Sequence, residues 1–236
     1  SAGEQTIRYV NVGSFVLADG SVHYIDLVVS NRTSYAPYNT SLNTIYHERF
    51  AQINLACNNE VTLRASTVAS CATAPACKLC TLLSTPLQAD CYASGCSCFG
   101  ATVYNASACE GADKEAHRVA YTCASIQQPI VLPDSVMTTM TVYDFDTGLA
   151  GDYEEELTMP GFAYYRTPLR AASDRAINST ISVDLNSNRF SATALGGGSD
   201  NPISPTELTD EQASKGVQFF FVATNGYVEG TFAVRS

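Results

Sequence analysis

The placement of cysteine constrains this chain more than any other feature. Of its nine cysteines, eight fall in one stretch: Cys71, Cys77, Cys80, Cys91, Cys96, Cys98, Cys109 and Cys123. Such a stretch is either a zinc module or a set of disulfides. Zinc modules repeat paired C-x₂-C knuckles across a regular spacer. Only Cys77-Lys78-Leu79-Cys80 has that form, and Cys96-Ser97-Cys98 is too tight to serve as its partner. The three histidines, His23, His47 and His117, are scattered. The cluster is therefore read as disulfides, with connectivity left open. Cys57 stands apart, and an odd total leaves at least one thiol unpaired or bonded outside the chain. Cys57 is then a buried free thiol, an intermolecular bridge, or a partner of the cluster that frees another cysteine.

Disulfides persist in oxidising surroundings, which points to a secreted or cell-surface protein. Four N-x-[ST] sequons agree, at Asn31, Asn39, Asn105 and Asn178. The chain opens at Ser1 with no leader, as a processed chain would. No apolar run approaches the ~20 residues a membrane helix needs, so no membrane insertion is expected. A formal charge of −10 with only 13 lysines and arginines argues against nucleic acid or an anionic membrane as partner.

Residues 1–65 carry strand patterns, notably His23 to Val29 after an Asp19-Gly20 turn. Ala51 to Leu55 and Val61 to Arg64 flank Asn58-Asn59-Glu60 and read as a hairpin. Residues 66–128 hold the cysteines with alanine-rich pieces such as Lys114 to Cys123, and read as a partly helical, disulfide-stapled insertion. Strand patterns return from Pro129. Met137 to Phe145 alternates, and Val217 to Ala223 with Tyr227 to Val234 reads as a closing hairpin around Asn225-Gly226. Before it, Thr209-Asp210-Glu211-Gln212 has the spacing of a helix capping box. The expectation is an all-β chain, residues 1–236, forming one antiparallel, jelly-roll-like β-sandwich interrupted by the insertion at 66–128.

The most chemically pointed segment is Thr141 to Gly148. On a strand, Asp144 and Asp146 share one face, while Tyr143 and Phe145 share the other. Two carboxylates before a glycine turn offer hard oxygen ligands to calcium, and Asp200 and Asn201 can add more. Asp26 sits between Tyr24 and Val28 on an apolar face, so it needs a partner or a metal. No cofactor is required, and calcium is the candidate ion. Catalytic signatures are missing: there is no H-E-x-x-H, no G-x-S-x-G elbow and no P-loop. Glu154-Glu155-Glu156 reads as a solvated run, and no enzyme is expected. Tyr35, Tyr38, Tyr46, Tyr164 and Tyr165 lie in or beside loops, where exposed rings could meet a surface polysaccharide.

Ile25-Asp26-Leu27-Val28-Val29, Tyr143-Asp144-Phe145-Asp146, Asp200-Asn201-Pro202 and Phe219-Phe220-Phe221 together resemble a module of secreted algal and protist cell-surface proteins. The resemblance spans roughly residues 7–65 and 129–235, with a much shorter connection where this chain has 66–128. It implies an extracellular β-sandwich and no particular activity. The expected function is a secreted, N-glycosylated structural protein that assembles with itself into a filament, coat or appendage. The alternative is a calcium-dependent carbohydrate-binding or adhesion module, and a polysaccharide-active hydrolase comes third.

Overall fold

The computed structural model describes residues 5–16, 22–42, 45–46, 50–69, 77–82, 85–90, 118–121, 137–170, 176–222 and 224–236. The chain divides into two compact units. One comprises residues 1–7, 29–65 and 132–236; the other comprises 8–28 and 66–131. The cysteine-rich stretch thus belongs with residues 8–28.

The described chain is mostly β, in antiparallel sheets. Its strands are β1 (Thr6–Val16), β2 (Val22–Asn31), β3 (Ile45–Tyr46), β4 (Phe50–Ala51), β5 (Asn59–Ala69), β6 (Cys77–Leu82), β7 (Thr85–Asp90), β8 (Arg118–Tyr121), β9 (Met137–Val142), β10 (Glu154–Thr158), β11 (Tyr164–Arg166), β12 (Ile181–Asp184), β13 (Arg189–Ala192), β14 (Val217–Val222) and β15 (Tyr227–Arg235). The helix α1 (Asp210–Ser214) precedes β14. Seven strands form one sheet in the order β1-β2-β5-β15-β10-β13-β12, and a second sheet has the order β11-β14-β9.

The first unit's core is built from both sheets. Leu157, Phe190 and Ile181 come from the seven-stranded sheet, and Val217, Phe219 and Phe221 from the three-stranded one. Phe190, Phe219 and Leu157 are each 0% exposed. Alternation explains the choice: on β14, Val217, Phe219 and Phe221 face inward while Gln218, Phe220 and Val222 take the other face. Phe162, Phe190 and Phe219 meet tilted or edge-on at centroid distances of 4.8–5.9 Å, the arrangement ring quadrupoles favour.

Two expected hairpins are not formed. β14 pairs with β9 and β11, whereas β15 pairs with β10, so the chain passes from one sheet to the other at Asn225-Gly226. A two-residue hairpin turn on Asn-Gly needs positive φ at both residues, and only Gly226, at 81°, has it. Likewise, Ala51 pairs with Ile45, residues 52–56 form no strand, and Asn58, at φ 60°, donates its amide to Val234 O at 2.8 Å. In the first case the two strands hydrogen-bond to distant partners in different sheets while their side chains meet in one core.

In the second unit, β6 pairs antiparallel with β7 and with β8. Strand β8 lies inside Lys114 to Cys123, the alanine-rich piece expected to be helical. Cys77 and Cys80 fall on β6. Cys71, Cys91, Cys96, Cys98, Cys109, Cys123, the Asn105 sequon and the Asp19-Gly20 turn lie outside the described residues.

Candidate metal centre

Strand β9 ends at Val142, and the chain then turns sharply. Asp144 takes a left-handed backbone at φ 63°, so the segment no longer alternates as a strand. Phe145, 2% exposed, drops into the core, and Tyr143 packs against a separate cluster around Leu169, Leu208 and Ala213. This turn brings Asp144 and Asp146 to Asp200, 54 residues further on from Asp146: the three carboxylates offer oxygens all within 4.8 Å of one another.

Each carboxylate is held differently. Asp146 is 3% exposed, and its Oδ1 accepts from Gly148 N at 3.1 Å and Tyr153 Oη at 3.2 Å. Gly196 is where its other side needs room, since a Cβ on that residue would overlap Asp146 Oδ2. Asp200 Oδ1 accepts from Gly197 N at 3.1 Å, while its Oδ2 accepts from Lys215 Nζ. Lys215, 2% exposed, also donates to Glu211 Oε1 at 3.0 Å. Asp144 Oδ1 is buried with no hydrogen-bond partner, and so is Asn201 Oδ1 on the residue after Asp200.

Glu155 joins the cluster and overturns the reading of its run as solvated. On β10, Glu155 falls on the same face as Leu157 and Met159, both 0% exposed and in the core. Glu156 faces the other way, to Arg189 at 3.4 Å and Arg235 at 3.3 Å. Burial pushes the Asp144 carboxyl up to about 7, with Asp146 and Asp200 adding to the rise and Lys215 opposing it. Burial likewise raises Glu155 to about 8, reinforced by Asp146 and Asp144. For Asp200, burial acts upward but hydrogen bonds from Lys215 and Gly197 hold its carboxyl below the usual range. Burial and the neighbouring Asp146 raise the Tyr153 phenol.

Such a set suits an oxygen-loving cation. Opposite ligands of calcium stand roughly 4.6–5.2 Å apart, twice the usual Ca–O distance. Three oxygens within 4.8 Å of one another fit inside that span. Asp144, Asp146, Asp200 and Asn201 were legible in the sequence as candidate oxygen ligands, and the first three converge. Lys215, Glu155 and Tyr153 were not, because a lone lysine, one member of an acidic run and one tyrosine carry no motif.

The other expected residues lie elsewhere. Asp26, 1% exposed, belongs to the second unit, where Arg8 Nε binds it at 2.8 Å and Asn11 N at 3.0 Å. Its need is met by a partner, not by this site. Cys57 is exposed, with no disulfide among the described residues, and its exposure rules out the buried-thiol reading. Tyr38 is 78% exposed, Tyr35 donates to Asn54 O at 2.9 Å, Tyr164 stacks on Phe220, and Tyr165 packs against the core. Tyr46's side chain is outside the described residues. No helix among the described residues is long and apolar enough to cross a membrane. No family model, curated protein or solved structure matches the chain.

Proposed function

We propose that this chain is a secreted, non-enzymatic β-sandwich module that binds calcium through Asp144, Asp146, Asp200 and Asn201 and serves in adhesion or carbohydrate contact. The observation that carries the reading is the carboxylate trio itself with two buried, donorless oxygens, Asp144 Oδ1 within it and Asn201 Oδ1 on the residue after Asp200. A buried acceptor left unmade costs roughly 1–3 kcal/mol, and more when charged. Two ionised carboxylates 4.8 Å apart repel by about 3.5 kcal/mol at an effective dielectric of about 20, so without a cation Asp144 and Glu155 keep their protons up to about pH 7 and 8. A divalent cation supplies both the missing charge and the missing partners. It would tie the segment after β9 to the segment before α1 and fix those loops for contact with a glycan or a neighbouring protein. The shared core of the two sheets supports the sandwich architecture.

Tyrosine-sensitised terbium emission tests the site directly, because Tyr153 touches Asp146 and the chain has no tryptophan. Emission that calcium displaces, and that Asp144→Asn abolishes, is the expected result. If terbium gives no calcium-competed signal and calcium leaves the melting temperature where a chelator does, the reading fails.

Self-assembly into a filament or coat is the second reading, favoured by one observation. Strand β1, 11 residues long, ends the order of the seven-stranded sheet, and its Val10 and Val12 are each 53% exposed. A long apolar edge is a template for another strand. Negative-stain micrographs of the secreted protein should show polymers that Val10→Lys with Val12→Lys disperses. Single particles from the unaltered protein would remove this reading.

A further inference from the structure

We infer that Asn39 carries an N-linked glycan and that the chain favours this sequon over Asn31 and Asn178. The inference rests on the secreted reading above and not on the calcium site. At Asn39-Thr40-Ser41, Oδ1 of the asparagine accepts from both Ser41 N at 3.0 Å and Ser41 Oγ at 2.8 Å. The sequon hydroxyl is thus on its own carboxamide. That hydrogen bond draws electron density to Oδ1 and makes the Nδ2 protons easier to lose. Asn39 is exposed, and its Nδ2 has no partner among the described residues.

The turn is local, joining residues two apart, and it runs into a 3-10 helix at Thr40–Leu42 with Leu42 N on Asn39 O at 3.1 Å. Side-chain to backbone bonds of this range form in a chain that has not yet folded, which is the state a transferase meets during synthesis. In the fold, Asn54 Oδ1 then accepts from Asn39 N at 2.8 Å and anchors the turn's backbone, leaving the side chain at the surface.

The other two sequons are built differently. Asn31 is partly buried; its Oδ1 accepts from Gln5 N, 26 residues away, and its Nδ2 donates to Thr33 O at 2.9 Å. At Asn178-Ser179-Thr180, the sequon hydroxyl of Thr180 donates to Ser214 O, 34 residues away, at 3.1 Å. Neither hydroxyl is on its own asparagine: Thr33 Oγ1 accepts from Thr62 N at 2.8 Å, 29 residues away, and both hydroxyls thus take distant partners that need the finished fold. In the reaction, Nδ2 of Asn39 attacks C1 of an oligosaccharide carried on a polyprenyl pyrophosphate. The N–C1 bond forms, the C1–O bond to pyrophosphate breaks, and one Nδ2 proton is lost.

The full chain, expressed with a heterologous leader in eukaryotic secretory cells, tests this apart from its natural route. Peptide mapping after glycan removal should find Asn39 occupied in most molecules, and more fully than Asn31 or Asn178. Ser41→Ala, which keeps the asparagine, should abolish that glycan, and Ser41→Thr should retain it. An unmodified Asn39 in secreted protein, or Asn39 less occupied than Asn31 or Asn178, would overturn the inference.

Discussion

Replacing Asp144 by asparagine separates the charge on this site from its shape. Asp144 titrates near pH 7 in the fold against 3.8 for the free side chain. A difference of roughly three units corresponds to about 4 kcal/mol at 1.36 kcal/mol per unit, and solvent screening of a partly exposed carboxyl reduces it to about 2–4 kcal/mol. The sign follows from proton binding: the folded chain holds this proton more tightly than the unfolded one. Its stabilising contribution is therefore complete below about pH 4 and is lost as pH rises through about 7. Without divalent cations, the unaltered protein should lose that amount between about pH 4 and pH 8, and Asp144→Asn should flatten the fall. Calcium at about a hundred times its dissociation constant should return about 2.7 kcal/mol to the unaltered protein at pH 8. For a chain of this length, that is a rise of about 5–10 °C in melting temperature, and the variant should show none. Thermal melts by circular dichroism at both pH values, with calcium or a chelator, read all four states. Equal calcium shifts in both proteins would mean that Asp144 holds no cation. Identical pH slopes in both would refute the carboxylate coupling itself.

Other perturbations follow from the same contacts. Lys215→Met leaves the half-buried Asp200 without its cation, so urea unfolding should show a loss of about 1–3 kcal/mol in calcium-free buffer, shrinking when calcium is added. Thr209→Ala removes the side-chain half of the capping box at α1, the hydroxyl that accepts from Gln212 N, and should cost about 1 kcal/mol by the same assay. Phe190→Ala empties a site 0% exposed among Phe162, Tyr165 and Phe219, and should cost about 3–5 kcal/mol. A loss below about 1 kcal/mol there would place the first unit's core elsewhere.

The periodicity of the sequence was enough to locate β14 and most of β2 and β15, because alternation is a property of a strand and one buried face. Local chemistry was enough for the helix start: Thr209 and Gln212 cap each other across three residues, and the structure forms both bonds, at 3.0 and 3.2 Å. It was also enough to mark Asp144 and Asp146 as candidate oxygen ligands. What the sequence left open was pairing. Asn225-Gly226 has a hairpin's composition, yet β14 and β15 enter different sheets, with residues of both in the core between them. The triple glutamate has a solvated run's composition, yet Leu157 and Met159 set the register of β10 and turn Glu155 inward with them. Lys215 reaches Asp200 only because α1 returns the chain to the glycine turn, where Gln212 Nε2 also bonds Asp200 O at 2.9 Å. Strand positions and caps are decided within a few residues, so they could be read directly. The convergence of Asp144, Asp146 and Asp200 is decided by long-range packing, and only the folded chain makes it.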